Sequence, residues 1–175
     1  SIGLDVKGMT INLNAAGVYP VTETIVSPGK LVINGVDGAI IDASACVATT
    51  GEGEGAVTTS APLLALSTTP AVGFAPKYDG SGDTDYYLVS LVQVKNVKVT
   101  GLKNSIFYDN NTKYCVANFT IDNCVFELAT EAVENEALIS FKAGGAKDFA
   151  VKNSTFMGNN AVAKYFIRYN NSARL

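Results

Sequence analysis

Three segments of this chain repeat one short pattern, and this repeat constrains the fold more than any other feature. They are residues 96–101, 118–123 and 148–153, and their first residues lie 22 and 30 positions apart. Each segment opens with Asn or Asp, alternates apolar with polar residues, and closes on Asn or Gly. A pattern that returns at such intervals is typical of stacked supersecondary units, because each unit buries its apolar side only against its neighbours.

Each repeat predicts a β-strand that ends at a sharp corner. Successive side chains of a strand face opposite ways, so Phe119 and Ile121 face one side while Thr120 and Asp122 face the other. Stacking such strands in parallel places apolar residues above one another. The closing Asn suits a corner of positive φ, a conformation that Gly and then Asn tolerate best.

The repeat also predicts which residues become neighbours. The expected stacked pairs are Phe119 with Phe149, Asn123 with Asn153, and Phe126 with Phe156. The alignment of the first unit stays open between two registers. Either residues 96–101 match the later segments at an offset of 22, or residues 102–107 match them at an offset of 19.

A second recurring pattern supports a solenoid. Residues 88–91 resemble residues 138–141 and 165–168, and residues 114–116 fall between them. Two patterns that share one period predict an all-β fold, a right-handed single-stranded parallel β-helix. A β-sandwich or jelly roll is the alternative, since short strands at regular spacing also fit it.

The chain is expected to form one domain. It has 175 residues, of which 47% are hydrophobic and 17% charged, so a sizeable core is available. We predict a single β-helix domain over residues 1–175, with early coils at 1–44, long loop excursions at 45–86 and regular coils at 87–175. Residues 165–171 resemble the start of a further coil, which predicts a helix truncated at its C-terminal end or end-to-end self-association.

Charge and hydropathy exclude two classes of partner. The net charge is −3 and the Lys residues are scattered, which gives no support for nucleic-acid binding. No apolar run reaches the roughly 18 residues that a membrane-spanning helix needs. We therefore expect neither a nucleic-acid partner nor a membrane span.

A family resemblance adds to this interpretation. Residues 118–126, 148–156 and 164–172, together with residues 30–39, resemble uncharacterised right-handed β-helix proteins of Bacteroidetes, grouped beside the pectate-lyase-like superfamily. The likeness covers between half and two-thirds of the chain. It implies a periplasmic, cell-surface or secreted location and a part in polysaccharide use.

The absence of His excludes His-dependent nucleophilic sites and most catalytic zinc sites. The chain has no His, which removes Ser-His-Asp and Cys-His sites and most catalytic zinc arrangements. Cys46, Cys115 and Cys124 lack CxxC spacing, so neither a zinc cluster nor a redox pair is indicated. We expect buried thiols, with a Cys115–Cys124 disulfide as the alternative.

The sequence supports a polysaccharide-cleaving site only in part. A lyase site needs a basic residue and usually Ca²⁺ held by stacked carboxylates, but Asp122 aligns with Lys152 and Thr100 rather than with acids. A glycoside hydrolase needs two carboxylates about 5–10 Å apart. The candidate acids, none of which stacks on another acid, are Asp109, Asp122, Glu127 and Asp148.

One loop resembles a calcium site. Asp79, Asp83 and Asp85 alternate with other residues as the oxygen ligands of a Ca²⁺ loop do. Thr84 replaces the usual sixth-position Gly and no Glu follows at the twelfth position, so a plain polar loop is the alternative. Apart from calcium, no cofactor is evident.

The candidate ligand-binding residues are Tyr86, Tyr87, Arg168 and Lys142. Sugar rings pack on aromatic faces, and Tyr86 and Tyr87 are the pair expected to face outward. Arg168 lies between Ile167 and Tyr169, so it should face outward too, on a face shared with Lys142 and Lys152. A solvated strand charge is the alternative for Arg168.

These observations predict an extracytoplasmic domain that binds carbohydrate. The first alternative is a polysaccharide lyase or glycoside hydrolase. The second is a structural or adhesive surface module without a small ligand.

Overall fold

The protein is all-β, and its strands form parallel sheets. The computed structural model describes residues 8–27, 29–67, 77–78, 86–109, 114–129, 135–141, 145–158 and 163–169. In the strands at 77–78, 86–90, 114–115, 135–136 and 163 only the backbone is described. The one helix in these ranges is a short 3-10 helix, Gly53–Gly55. No helix in the described part of the chain has the length and apolar character needed to cross a lipid bilayer.

Eighteen strands are numbered in chain order. They are β1 (Gly8–Asn12), β2 (Gly17–Pro20), β3 (Ile25–Ser27), β4 (Lys30–Asn34), β5 (Ala39–Asp42), β6 (Val47–Thr50), β7 (Val57–Ser60), β8 (Leu64–Leu66), β9 (Lys77–Tyr78), β10 (Tyr86–Lys95), β11 (Lys98–Leu102), β12 (Phe107–Asp109), β13 (Tyr114–Asp122), β14 (Val125–Leu128), β15 (Asn135–Phe141), β16 (Ala146–Lys152), β17 (Thr155–Met157) and β18 (Ala163–Tyr169).

The chain visits three parallel sheets in a fixed cycle. Sheet 1 has the order β1-β4-β10-β13-β16, sheet 2 the order β2-β5-β11-β14-β17, and sheet 3 the order β3-β8-β12-β15-β18. We call one passage through the three sheets a rung. The described residues form five rungs, and each rung pairs in parallel with the next, an arrangement compatible with a solenoid.

Paired residues of successive rungs stack into columns, which form the core. Phe119 pairs with Phe149, and their rings are stacked with centroids 5.4 Å apart and planes 3° apart. Phe126 pairs with Phe156 in the same way, at 5.1 Å and 8°. Both predicted aromatic pairs are therefore confirmed. Offset stacking of this kind adds to the free energy that burial of the rings contributes.

The corner between sheets 1 and 2 is formed by Asn residues, as the repeat predicts for Asn123 and Asn153 but not for Asn96. Asn96, Asn123 and Asn153 have φ values of 55°, 54° and 52°. The Asn123 side-chain amide donates a hydrogen bond to Asn96 Oδ1 at 3.0 Å. The Asn153 side-chain amide of rung 5 instead donates to Asp122 Oδ1 of rung 4, also at 3.0 Å, so the last bond of the ladder joins an amide to a carboxylate.

Both registers considered for the first repeat are wrong. Asn118 pairs with Leu91, an offset of 27, so Asn96 occupies the corner rather than the start of a strand. Val99 lies in sheet 2 opposite Phe126. Asp122 consequently pairs with Lys95, not with Thr100.

The second recurring pattern joins residues of different sheets. Residues 88–91 and 114–116 lie in sheet 1, whereas residues 138–141 and 165–168 lie in sheet 3. The likeness between the two groups is therefore one of composition and not of position in the fold.

Rung 2 carries an inserted hairpin. Strands β6 and β7 pair only with each other, antiparallel, and the chain then returns through β8 to sheet 3. The hairpin lies within the 45–86 region predicted to hold loop excursions. Its neck is closed by a hydrogen bond from the Ala61 N–H to the Cys46 carbonyl oxygen at 3.1 Å.

Candidate functional site

A groove runs along the corner between sheets 1 and 2. Its volume is about 720 Å³, and its lining comes from rungs 2, 3 and 4. The lining residues are Gly35, Val36, Asp37, Gly38, Ala39, Ile40, Asn96, Val97, Lys98, Asn123 and Val125. Since parallel strands lie about 4.8 Å apart, the lining rises about 10 Å across its three rungs.

The floor of the groove is an outward column of sheet 2. Ile40, Lys98 and Val125 pair in register across three strands. The residues that follow them, such as Val99 and Phe126, are fully buried, so the alternation of the strand turns the floor residues outward. The floor of the groove therefore consists of the aliphatic side chains of Ile40 and Val125, with the side chain of Lys98 between them.

One rim of the groove is the Asn96–Asn123 amide ladder. Their left-handed backbone lets the chain turn from sheet 1 to sheet 2 within two residues. An Asn amide has two N–H donors and an acceptor oxygen with two lone pairs, so the single bond between the two amides uses only part of their capacity. Such amides suit hydroxyl groups, which both donate and accept.

The other rim is the turn at residues 35–38. Gly35 donates its N–H to the Lys95 carbonyl at 2.8 Å, and the Ala39 N–H closes the turn on Val36 O at 3.0 Å. A Cβ atom at position 35 would collide with the Asn96 carbonyl oxygen, so only Gly permits this close approach. The turn presents the exposed Asp37 carboxylate beside the groove.

Ion pairs balance the charges near the groove. Lys98 Nζ lies 2.6 Å from Glu127 Oε1, and both side chains are partly exposed. Asp122 Oδ2 lies 3.4 Å from Lys152 Nζ. The hydrogen bond from Asn153, with a smaller effect of Lys152, lowers the pKa of Asp122. Backbone and side-chain hydrogen bonds from Ser44 likewise lower the pKa of Asp42.

Most of the residues predicted from the sequence are not described beyond their backbone. Tyr86 and Tyr87 lie in β10, where they pair with Tyr78 and Lys77 of β9, and their side chains are outside the described part. Lys142 is also outside it.

The candidate calcium ligands Asp79, Asp83 and Asp85 fall outside the described residues as well. Within the described ranges, no group of three His, Cys, Asp or Glu side chains is placed to hold a metal ion. Calcium binding at residues 79–85 stays a prediction, which calorimetric titration with calcium chloride tests.

Arg168 lies in a second groove, on the edge strand β18. This groove has a volume of about 380 Å³ and is lined by Lys164, Tyr165, Ile167, Arg168 and Tyr169. The Tyr169 hydroxyl donates to Ala146 O at 2.6 Å and accepts from Ala146 N at 2.7 Å, which joins β18 to β16. Lys152 lies in sheet 1, so the prediction that it shares a face with Arg168 is wrong.

The carboxylates considered for hydrolysis do not stack on one another. Asp122 pairs with Lys95 and Lys152. The other three pair with non-acidic residues: Asp109 with Phe141, Glu127 with Met157, and Asp148 with Asn118. This agrees with the sequence-based prediction.

The described cysteines are buried thiols. Cys46 and Cys124 are both free, so Cys124 does not form the alternative disulfide with Cys115. Burial raises the pKa of both thiols, which disfavours the thiolate needed for nucleophilic attack.

Sequence reasoning missed the corner groove. Its lining comes from segments 35–40, 96–98 and 123–125, which are far apart in the chain. The available signal was the recurrence of Asn at one phase of the repeat, which marks the corner where the groove lies.

Comparisons with known proteins do not add a function. No protein-family model, curated protein or solved structure matches this chain.

Proposed function

We propose that this chain is a right-handed parallel β-helix domain that binds carbohydrate outside the cytoplasm, as part of polysaccharide use. The fixed cycle through three parallel sheets supports the helical path. The right hand of the proposed helix is supported by the general rule that about 98% of crossovers between parallel strands of one sheet have this hand. The extracytoplasmic location rests on the resemblance of residues 118–126 and 148–156 to exported β-helix proteins.

The corner groove is the observation that carries the binding proposal. Its lining spans three rungs, and it combines a largely aliphatic floor with one rim of side-chain amides. A sugar ring has apolar faces and a belt of hydroxyl groups, so the floor at Ile40 and Val125 receives a ring face while Asn96 and Asn123 bond to hydroxyls. Ligand sites generally combine a mostly apolar lining with a few placed polar groups.

The groove chemistry favours binding over cleavage. Among the described residues, Asp37 is the only carboxylate that lines the groove, whereas glycoside hydrolysis needs a pair. The neighbouring Glu127 is held in its ion pair with Lys98. A general acid also needs a raised pKa, and the described carboxylates with shifted pKa values, Asp42 and Asp122, are shifted downward.

A glycan array followed by calorimetry tests this proposal. Val125→Lys places a long charged chain on the groove floor and should reduce the affinity for the bound glycan at least tenfold. Thr155→Lys is the matched control, because Thr155 is the next residue of the same column but does not line the groove. The control should bind as the unmodified chain does. Absence of binding to any glycan would contradict the proposal and favour a structural or adhesive module.

The groove at Arg168 favours a second candidate, polysaccharide lyase action. Lys164 and Arg168 are cationic, and Tyr165 is 56% exposed, a combination that suits an acidic sugar. Incubation with uronate-containing polysaccharides tests it. Release of unsaturated products, detected by ultraviolet absorbance and lost in Arg168→Ala, is the expected result. No product with any of these substrates would eliminate it.

A further inference from the structure

The two ends of the rung stack are open in the described part of the chain. Strands β1, β2 and β3 at one end each pair with a single neighbour within sheets 1 to 3. Strands β16, β17 and β18 at the other end do the same. An open edge presents unpaired N–H and C=O groups, and it therefore favours pairing with another strand.

The columns of inward-facing residues are buried in the middle rungs and partly exposed at both ends of the stack. In sheet 1 the column through Phe119 is 0% exposed at its three middle residues. Its terminal members are Met9, 38% exposed, and Phe149, 36% exposed. The column through Phe107 in sheet 3 likewise ends on Ile167, which is 37% exposed. Within these columns, large apolar side chains are therefore partly exposed only at the ends of the stack.

The two ends match each other in register. Four inward columns run from end to end through the paired residues of each sheet. Their terminal residues are Met9 and Phe149, Ile11 and Val151, Tyr19 and Phe156, and Ile25 and Ile167. Every one of these positions is apolar or aromatic. A second copy placed one strand spacing beyond rung 5 would therefore continue all four columns with parallel strands.

We propose that the open ends bind a second copy of this chain, head to tail, so that rung 1 of one copy stacks on rung 5 of the next. The charges at the two ends of the stack favour this pairing. The described part of rung 5 carries Lys147, Lys152, Lys164 and Arg168 against Asp148, whereas Glu23 is the one charged residue of positions 8–27. Repulsion between two identical rung 5 faces disfavours the alternative, symmetric dimer. A head-to-tail contact does not close, so it generates linear assemblies.

Sheet 2 contributes least to this contact. The N–H groups of Gly17 and Val21 bond to rung 2, so position 20 in β2 faces the open edge. Pro20 stands there and has no N–H to donate. We therefore expect reversible, concentration-dependent assembly instead of a permanent filament.

Sedimentation velocity across a concentration series tests the proposal. The unmodified chain should sediment faster as its concentration rises. Met9→Glu blocks the rung 1 end, and Phe149→Glu blocks the rung 5 end. Each variant alone should weaken association at least tenfold, because each places a charge in an apolar contact. Val57→Glu, on the exposed hairpin strand β7, is the matched control and should associate like the unmodified chain.

Mixing the two end variants identifies the orientation. The intact rung 5 end of the Met9→Glu chain fits the intact rung 1 end of the Phe149→Glu chain, so an equimolar mixture should give a discrete dimer. Ile167→Glu replaces Phe149→Glu if circular dichroism shows that the latter does not fold. A monomer at every concentration, or undiminished association of the Met9→Glu chain, would overturn the proposal.

Discussion

At the scale of single residues, Asn at the corners connects backbone conformation to the stacking of rungs. Asn123 combines a positive φ with a side-chain bond to Asn96. Gly would satisfy the backbone requirement alone, whereas Ala would satisfy neither. The two roles are therefore separable by substitution.

Asn123→Ala should destabilise the protein more than Asn123→Gly. The Gly variant loses only the exposed amide bond, while the Ala variant also places a Cβ in the left-handed region, which costs about 1–2 kcal/mol. The free energy of unfolding in urea measures both changes. Equal stability of the two variants would show that position 123 does not hold the left-handed corner.

The lowered pKa of Asp122 predicts that the stability of the protein depends on pH. The pKa of this carboxyl is lowered from 3.8 in the folded state, chiefly by the Asn153 hydrogen bond. A lowered folded pKa contributes stability above the unfolded pKa, and that contribution is lost as pH falls through the folded pKa. Asp122→Asn should thus be less stable than the unmodified chain at neutral pH, and the difference should shrink below pH 3.8.

Thermal unfolding at neutral and acidic pH measures this difference. Lys152→Met leaves the Asn153 hydrogen bond, the largest of the contacts that lower the pKa of Asp122, in place, so it should retain much of the acid dependence. A gap between Asp122→Asn and the unmodified chain that stays constant with pH would refute this role of Asp122.

At the scale of elements, rungs 4 and 5 were predictable and rung 3 was not. Phe119 and Phe149 lie at the same phase of segments that both begin with a polar residue, so the sequence alone predicts their stacking. In rung 3 the residue that pairs with Asn118 is Leu91, which lacks that polar marker. The sequence pattern therefore places Asn96 at the start of a strand, although its positive φ makes it a corner residue.

Neither strand β2 nor the corner groove can be predicted from the sequence pattern alone. The segment Gly17–Pro20 is a four-residue edge strand that ends on Pro, so it lacks the alternating apolar run that predicts strands. The groove forms where corner segments of rungs 2, 3 and 4 lie next to one another. Its position therefore depends on the register in which rung 3 pairs with rungs 2 and 4.

The β6–β7 hairpin should be dispensable for folding. Its residues are mostly exposed, and its strands pair only with each other. Replacing residues 48–59 by Asn-Gly leaves Val47 and Ser60, a ladder pair, joined by a favoured two-residue turn. We expect the free energy of unfolding to change by less than about 1 kcal/mol.

Leu64→Ala provides the contrast within the same rung. Leu64 is fully buried in the sheet 3 column, so its truncation should cost about 2–5 kcal/mol in a urea titration. A shortened hairpin that destabilises the protein as much as Leu64→Ala would show that the hairpin supports the core.

At the scale of the whole molecule, stability depends on contacts between neighbouring rungs. Each rung pairs in all three sheets with the rung before and after it, and the inward columns make the core continuous from rung 1 to rung 5. Interior rungs are buried on two sides and end rungs on one. The proposed glycan groove and the proposed stacking contact both depend on this arrangement.

Methyl-to-methyl nuclear Overhauser spectra of protein labelled at Ile and Val test the stacking most directly. Ile121 pairs with Val94 on one side and Val151 on the other, across strands about 4.8 Å apart. The account predicts cross-peaks from the Ile121 methyl groups to both residues, and much weaker or no direct cross-peaks between Val94 and Val151. Absence of the two Ile121 cross-peaks in the folded protein would contradict it.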